Sequence, residues 1–359
     1  MRPTTARVVT ALATVALTVL ATPGAASADA AGPTDYRSEV VSVSPETESI
    51  VVSIVGGDAF VRLRVEPGHE AIVLGYDDEP YLRIGPDGTV EQNRLSFATY
   101  YNEERYGGTD IPGIVDNAAA PEWERIGGGG AWAWHDHRAH WMGDDPPIGL
   151  EPGDSLPSQR IPIVVDGSTV DVEVRTTLLD GPSMWPAVFG ILVGLQLALV
   201  AVLLGRASTT FAALVFGVAA LIVGVVQYRS LPGETGPLVT WWLLPAIAVA
   251  CAVTTIGIYG RSVLAESGLV ALAALQVLLW AVLRRTTLTR AVLPTDAPFW
   301  LDRAVTAGVL VGSAVLLIAV VRGLFRPAAP VPEGHDGPAG SHDAAPTSAS
   351  PAQSAAANS

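Results

Sequence analysis

The hydrophobic pattern of the chain changes sharply after Met184. Before this residue, short β-branched and aromatic runs are separated by Gly, Pro and Asp turns, a pattern typical of antiparallel strands with one buried face. The runs cover 40–43, 50–54, 60–65, 71–74 and 81–84, and a later hairpin covers 161–165 and 170–174. This spacing predicts a β-rich, antiparallel, sandwich-like domain over residues 29–184.

The chain beyond Met184 carries apolar stretches at 185–205, 210–228, 238–259, 268–284 and 304–321. Each is close to the roughly 20 residues that a helix needs to cross a bilayer core. They predict an α-helical bundle of five transmembrane helices within residues 185–326, of which the fourth is the weakest candidate. Residues 327–359 are rich in Pro, Ala, Ser and Gly and predict a disordered cytoplasmic tail.

The N-terminus has the pattern of a secretory signal peptide over residues 1–28. Arg2 and Arg7 are followed by an apolar run from Val8 to Leu20 and by the small residues A-S-A at 26–28. An uncleaved signal anchor is the alternative, and it also sends the following domain outward. The pattern predicts a multi-pass cell-membrane protein with an extracytoplasmic N-terminal domain.

The arginines of the predicted loops do not follow the positive-inside rule. With the N-terminal domain outside, the outer loops carry Arg229, Arg284, Arg285, Arg290 and Arg303, whereas the inner side carries Arg206, Arg261, Arg322 and Arg326. The rule places an excess of basic residues on the cytoplasmic side. The predicted orientation therefore depends on the signal peptide alone.

Charge and cysteine content exclude several classes of function. Residues 29–184 contain 28 acidic residues and 10 arginines, which makes nucleic acid a poor partner and cations good ones. The single cysteine, Cys251, falls in an apolar stretch, so the N-terminal domain has neither an internal disulfide nor a cysteine-based zinc site. The chain lacks a G-x-S-x-G nucleophile motif, and we expect no enzyme activity.

Residues 132–142 read W-A-W-H-D-H-R-A-H-W-M and hold half of the six histidines of the chain. Between predicted strands, this motif is expected at a strand end or in a loop. Imidazoles suit copper or zinc, and a methionine favours Cu(I), with Asp136 as a hydrogen-bond acceptor that orients a ligand. The candidate metal ligands are His135, His137, His140, Met142 and, from the first β region, His69.

A structural role for the same motif is the alternative. In that interpretation Trp132, Trp134 and Trp141 fill a small core, and the histidines bond to the backbone and to Asp136. A second acidic cluster at residues 76–83 is interpreted as a charged turn rather than a calcium loop, with an ion pair between Glu79 and Arg83 as a further hypothesis.

Three segments together resemble a known family. They are E-P-Y-L-R at 79–83, N-x-x-S-x-A-T-Y at 93–100 and W-H-D-H-R-x-H-W-M at 134–142. In these segments the chain resembles a family of uncharacterised actinobacterial membrane proteins. The resemblance implies an extracytoplasmic domain followed by membrane helices, and it carries no catalytic role.

Two functions follow as hypotheses. The first is a non-enzymatic extracytoplasmic ligand-binding or metal-binding module, with copper as the favoured metal, anchored by the helical bundle in the lipid bilayer. The second is a structural or envelope-assembly protein, whose N-terminal domain recruits a protein partner and whose His and Trp side chains belong to the core.

Overall fold

The computed structural model describes residues 31–108, 110–143 and 145–324. Within these ranges, an antiparallel β domain of ten strands is followed by helices, as the hydrophobic pattern predicts. The predicted signal peptide at 1–28 and the predicted tail at 327–359 lie outside the described residues.

The strands form two antiparallel sheets. The larger sheet has the order β1-β10-β9-β4-β5-β6-β7, and the smaller has the order β2-β3-β8. Their bounds are β1 Tyr36–Ser44, β2 Ile50–Val55, β3 Phe60–Val65, β4 Ala71–Leu74, β5 Pro80–Ile84, β6 Val90–Asn93, β7 Trp123–Gly127, β8 Ala131–Trp134, β9 Gln159–Val165 and β10 Ser168–Leu178.

The core of the β domain lies between the two sheets. Val61 and Leu63 on β3 point toward Ile161 and Ile163 on β9, and all four are fully buried. Their spacing of two residues places them on one face of each strand. The other face of β3 carries Phe60, which is also buried and therefore needs a separate partner.

The described residues contain six α-helices, and five of these are long and apolar enough to span a membrane. The short α1 lies between β6 and β7. Two 3₁₀ turns, Gly233–Thr235 and Arg285–Leu288, lie in the loops between long helices. The α-helices are α1 Phe97–Tyr101, α2 Trp185–Leu204, α3 Arg206–Arg229, α4 Thr240–Gly257, α5 Val263–Leu283 and α6 Phe299–Leu324.

Glycine allows the first and last long helices to pack backbone against backbone. A Cβ atom on Gly190 would overlap the backbone of Ala304, and one on Gly194 would overlap the backbone of Gly308. Close approach at small residues is a common way for helices to associate in a bilayer, where no hydrophobic effect drives them together. The α2–α6 contact thus depends on a stripe of small side chains.

The β domain rests directly on the ends of the membrane helices. Phe60 and Ala133, on the outer face of the smaller sheet, form a buried apolar cluster with Leu231 and Trp241 from the bundle. Thr34 forms a two-way backbone bridge with Val292, in the loop between α5 and α6. The smaller sheet is therefore covered on both faces.

Three of the five arginines that contradict the positive-inside rule have specific partners. Arg284 makes a buried ion pair with Asp302 at 2.7 Å, and Arg290 pairs with Asp35 of the β domain. Arg303 donates to the carbonyl oxygens of Arg290 at 2.7 Å and of Ala291 at 2.9 Å. These ion pairs and hydrogen bonds hold the three arginines in place. Their positions therefore have a structural reason that does not depend on which side of the membrane they face.

The hypothesis of an ion pair between Glu79 and Arg83 is wrong. Arg83 pairs with Glu70 and Glu91 on the surface of the larger sheet. Glu79 is buried and accepts hydrogen bonds from the Ser96 hydroxyl at 2.8 Å and from the backbone N–H of Asp77 at 2.9 Å. Residues four apart on a regular strand share a face, but the register of the β4–β5 pair shifts between Val73 and Leu74, and this irregularity separates the two side chains.

Candidate functional site

The histidine motif begins where β8 ends. Trp134 is the last residue of that strand, and His135 to Met142 form the loop that follows. The prediction of a strand end or loop is confirmed. Because β8 belongs to the smaller sheet, the loop leaves the β domain near the contact with the membrane helices.

Asp136 and Arg138 fix the shape of the loop. Arg138 holds Asp136 through two hydrogen bonds of 2.8 Å, and the indole N–H of Trp134 donates to the same carboxylate at 3.0 Å. Arg138 also donates to the carbonyl oxygens of Leu74 and Gly75 at the end of β4. Burial alone would raise the pKa of Asp136, but the Arg138 guanidinium and these hydrogen bonds lower it. Asp136 therefore organises the loop and does not orient a histidine, contrary to the prediction.

His135 is part of the packing between the motif and β3. Its ring stacks on Phe60 with centroids 4.3 Å apart, and its Nδ1 lies 2.6 Å from the carbonyl oxygen of Ala59. The ring is only 1% exposed. This part of the motif matches the structural interpretation.

His137 and His140 are held by backbone carbonyl groups. The Nε2 of His137 lies 2.9 Å from the carbonyl oxygen of Glu104, and the Nε2 of His140 lies 2.6 Å from that of Arg105. A carbonyl oxygen can only accept, so each Nε2 carries the hydrogen of the neutral ring. Each Nδ1 then carries a lone pair, the form of imidazole that binds a metal ion.

The two Nδ1 atoms are buried and accept no hydrogen bond from the described residues. The rings of His137 and His140 lie close together, with centroids 5.2 Å apart. Both line an open cavity of about 400 Å³ with Tyr101 and Met142. Two imidazole rings and a methionine side chain therefore line one cavity.

The surroundings keep both imidazoles neutral. Burial lowers the pKa of His137. Burial, with the nearby Arg105 guanidinium, lowers the pKa of His140 from 6.5 to about 3. Neither ring needs to lose a proton before binding a cation at neutral pH.

Met142 has the environment of an accessible sulfur ligand. Its Sδ accepts a weak hydrogen bond from the Tyr101 hydroxyl at 3.8 Å, and the rest of the side chain lines the cavity. A thioether selects soft cations, above all Cu(I), because it is polarizable and uncharged.

His69 lies apart from the other candidate ligands. It precedes β4 and its Nδ1 is 2.7 Å from the Asp166 carboxylate, whereas Arg138 contacts the far end of β4. Four strand residues separate these ends, a length of roughly 13 Å. The structure does not bring His69 to the motif, and its pairing with the β9–β10 hairpin explains why.

The described residues do not form a site of three or more charged or imidazole ligands. Across residues 31–108, 110–143 and 145–324, no group of three His, Cys, Asp or Glu side chains is arranged to hold a metal ion. The three rings lie close together, with the centroids of His135 and His137 6.2 Å and 5.2 Å from that of His140, but the Nδ1 of His135 lies against the carbonyl oxygen of Ala59. What remains is a pair of imidazoles beside a thioether.

Four residues that contact the histidines were not identified from the sequence. Tyr76 accepts a hydrogen bond from the backbone N–H of His137 at 3.0 Å and lies against the Arg138 guanidinium, 4.8 Å from ring centroid to Cζ. Tyr101, Glu104 and Arg105 contact the histidines from α1 and the loop after it. Each of these residues is more than 30 positions from the histidine that it contacts, so local spacing could not have associated them.

The fold and the site together define a multi-pass membrane protein with an antiparallel β domain and a histidine-lined cavity. No family model, curated protein or solved structure matches the chain.

Proposed function

We propose that this protein is a membrane-anchored, extracytoplasmic metal-binding protein without enzymatic activity, and that its metal is Cu(I). The observation that carries the proposal is the pair of imidazoles of His137 and His140, whose buried Nδ1 atoms accept no hydrogen bond from the described residues and which line one cavity with Met142. Two neutral nitrogen ligands and a soft sulfur suit a soft, singly charged ion better than Zn²⁺ or Ca²⁺.

The fixed tautomers support this assignment. Metal-binding histidines generally donate the second ring N–H to a carbonyl or carboxylate group, which sets the direction of the lone pair. The carbonyl groups of Glu104 and Arg105 provide this interaction for both rings. His135 and His69 have other contacts, so the proposed ligand set contains three of the five residues predicted from the sequence.

The charge of the domain and the signal-peptide pattern support the setting. An excess of acidic side chains between residues 29 and 184 attracts cations to the surface of the domain. Export of the first domain directs the cavity to the extracytoplasmic side and the end of α6 to the cytoplasm. The bundle then acts as the anchor in the bilayer.

The test is Cu(I) binding by the full chain in detergent, measured by competition with a chromophoric Cu(I) chelator under reducing conditions. We expect one Cu(I) per chain, and at least about tenfold weaker binding in Met142→Leu, which removes the sulfur and keeps the volume. His137→Gln with His140→Gln should abolish binding. His69→Gln, a histidine outside the cavity, is the matched control and should bind as the wild type does.

Unchanged Cu(I) affinity in both cavity variants would contradict the proposal. Thermal melting of each variant shows whether the fold is kept. Met142→Leu keeps the test decisive if the double histidine variant unfolds, because Leu is nearly isosteric with Met.

The second candidate is recruitment of an envelope protein partner, and a different observation favours it. Large apolar side chains are exposed in the two loops that flank the cavity: Tyr106, Ile111, Ile114 and Ile148, the last of them fully exposed. Exposed apolar patches on one side of a domain often mark a protein contact.

A photo-crosslinking amino acid at position 148 tests this candidate in intact membranes. A single adduct of defined mass at Ile148, and none with the crosslinker at exposed Val51 on β2, is the expected result for partner recruitment. The same adduct pattern at both positions would argue against a specific partner.

A further inference from the structure

A second cavity, of about 680 Å³, lies between the β domain and the bundle. One wall comes from β1, the end of β2, the β2–β3 turn and β3, and the other comes from the end of α3, the residues after it, the α5–α6 loop and the start of α6. The second wall thus contains the ends of apolar helices that are long enough to span a membrane. The cavity therefore lies at the level of the helix ends that face the β domain.

Three arginines line this cavity: Arg37 on β1, Arg62 on β3 and Arg229 at the end of α3. All three are exposed. None of the three guanidinium groups has an ion pair or a hydrogen bond with another described residue, in contrast to those of Arg284, Arg290 and Arg303 nearby. All three guanidinium groups are therefore free to bind an anion.

The remaining lining makes the cavity a cationic site beside an apolar boundary. Asp296 is the one carboxylate in its wall, so the three arginines leave an excess of positive charge. Phe299, the first residue of α6, adds an aromatic ring at the depth where aromatic residues meet lipid headgroups. Guanidinium groups form bidentate hydrogen bonds with phosphate oxygens.

We propose that this cavity binds the phosphodiester headgroup of an anionic phospholipid in the leaflet next to the β domain. Arg229 holds the phosphate from the bundle side, and Arg37 and Arg62 hold it from the β domain. The lipid thus fills the cleft between the two parts of the molecule. Its acyl chains lie along the exposed apolar surface of the helices, which a soluble phosphate could not use.

The experiment is native mass spectrometry of the full chain in detergent, titrated separately with phosphatidylglycerol, phosphatidylcholine and glycerol phosphate. We expect one phosphatidylglycerol to be retained preferentially. Each basic residue near an anionic surface contributes roughly 1 kcal/mol, so R37Q/R62Q/R229Q should bind it about a hundredfold more weakly. The triple Arg→Lys variant, which keeps the charge, should retain most of the binding.

The matched control is R64Q/R160Q/R175Q, which removes the same charge from exposed positions outside the cavity. It should bind phosphatidylglycerol as the wild type does. Equal loss in the control and cavity variants, or equal retention of phosphatidylcholine, would overturn the proposal. Binding of glycerol phosphate as tightly as of the lipid would overturn the assignment to a membrane headgroup.

Discussion

Individual side chains in the histidine motif divide between two roles. His135, Asp136 and Arg138 hold the loop to β3 and to the end of β4. His137 and His140 use one ring nitrogen for a backbone contact, and the other is buried and accepts no hydrogen bond from the described residues. The structural and metal-binding interpretations of the sequence therefore apply to different residues of one motif.

The neutral state of His140 predicts a pH dependence of stability in the metal-free protein. The pKa of His140 is lowered from 6.5 to about 3, so between these values the unfolded chain binds a proton that the folded chain does not. Stability should rise with pH through this window and be independent of this group above it. His137, with a pKa lowered by burial, acts in the same direction.

Chemical unfolding of the full chain in detergent at a series of pH values checks this expectation. The wild type should lose stability as the pH falls below 6.5. His140→Gln should lose less, because the slope of its unfolding free energy against pH should correspond to up to one bound proton fewer. His69→Gln, which changes an exposed histidine, serves as the control. A wild-type profile that matches that of His140→Gln would show that His140 is already protonated in the folded chain.

At the scale of elements, the hydrophobic pattern predicted most strands and all five long helices. The strands it missed, β6, β7 and β8, have the sequences V-E-Q-N, W-E-R-I-G and A-W-A-W, which are short, polar or without a period of two. Their strand conformation comes from pairing with neighbours that are distant in sequence, such as Val61 with Trp134. Single-sequence periodicity contains no information on such pairing.

Helix ends were predicted less well than helix centres. The structure begins α3 at Arg206 and α6 at Phe299, several residues before the apolar stretches at 210 and 304. The additional turns carry charged groups such as Asp302 and Arg303, which pair with loop residues. Hydropathy alone finds the part of a helix that faces lipid, whereas polar contacts extend the helix beyond it.

The α2–α6 contact gives a prediction at the same scale. Gly194→Leu should destabilise the bundle by about 1–3 kcal/mol or more, because the new side chain meets the backbone of Gly308 and the helices must move apart. Val193→Leu, at a position that is 47% exposed on the same helix, should change stability little. Thermal melting in detergent distinguishes the two, and equal midpoints would show that α2 and α6 tolerate a larger separation.

At the scale of the whole molecule, the β domain and the bundle share one apolar cluster. Phe60 connects them directly, since one side of its ring stacks on His135 and its surroundings include Leu231 and Trp241 from the bundle. The Phe60 side chain therefore lies between the candidate metal loop and the ends of the membrane helices. We expect changes at this contact to affect both parts.

Phe60→Ala tests this coupling. The substitution should lower the free energy of unfolding of the β domain by about 3–5 kcal/mol, the usual cost of truncating a buried aromatic side chain. It should also separate the melting of the β domain from that of the bundle. Tryptophan fluorescence and helical circular dichroism of the full chain follow the two transitions, with Val51→Ala on exposed β2 as control. Coincident melting in Phe60→Ala would show that other contacts couple the domains.

The bridge between Thr34 and Val292 has a consequence for how the molecule can be engineered. The β domain is connected to the bundle once covalently, between β10 and α2, and a second time through this bridge and the Asp35–Arg290 ion pair. A chimera that carries only residues 31–184 onto a foreign membrane anchor would lose the second attachment and expose Phe60. To keep the native contacts of the transplanted domain, the foreign anchor must also carry the α5–α6 loop and the α3–α4 turn that contains Leu231.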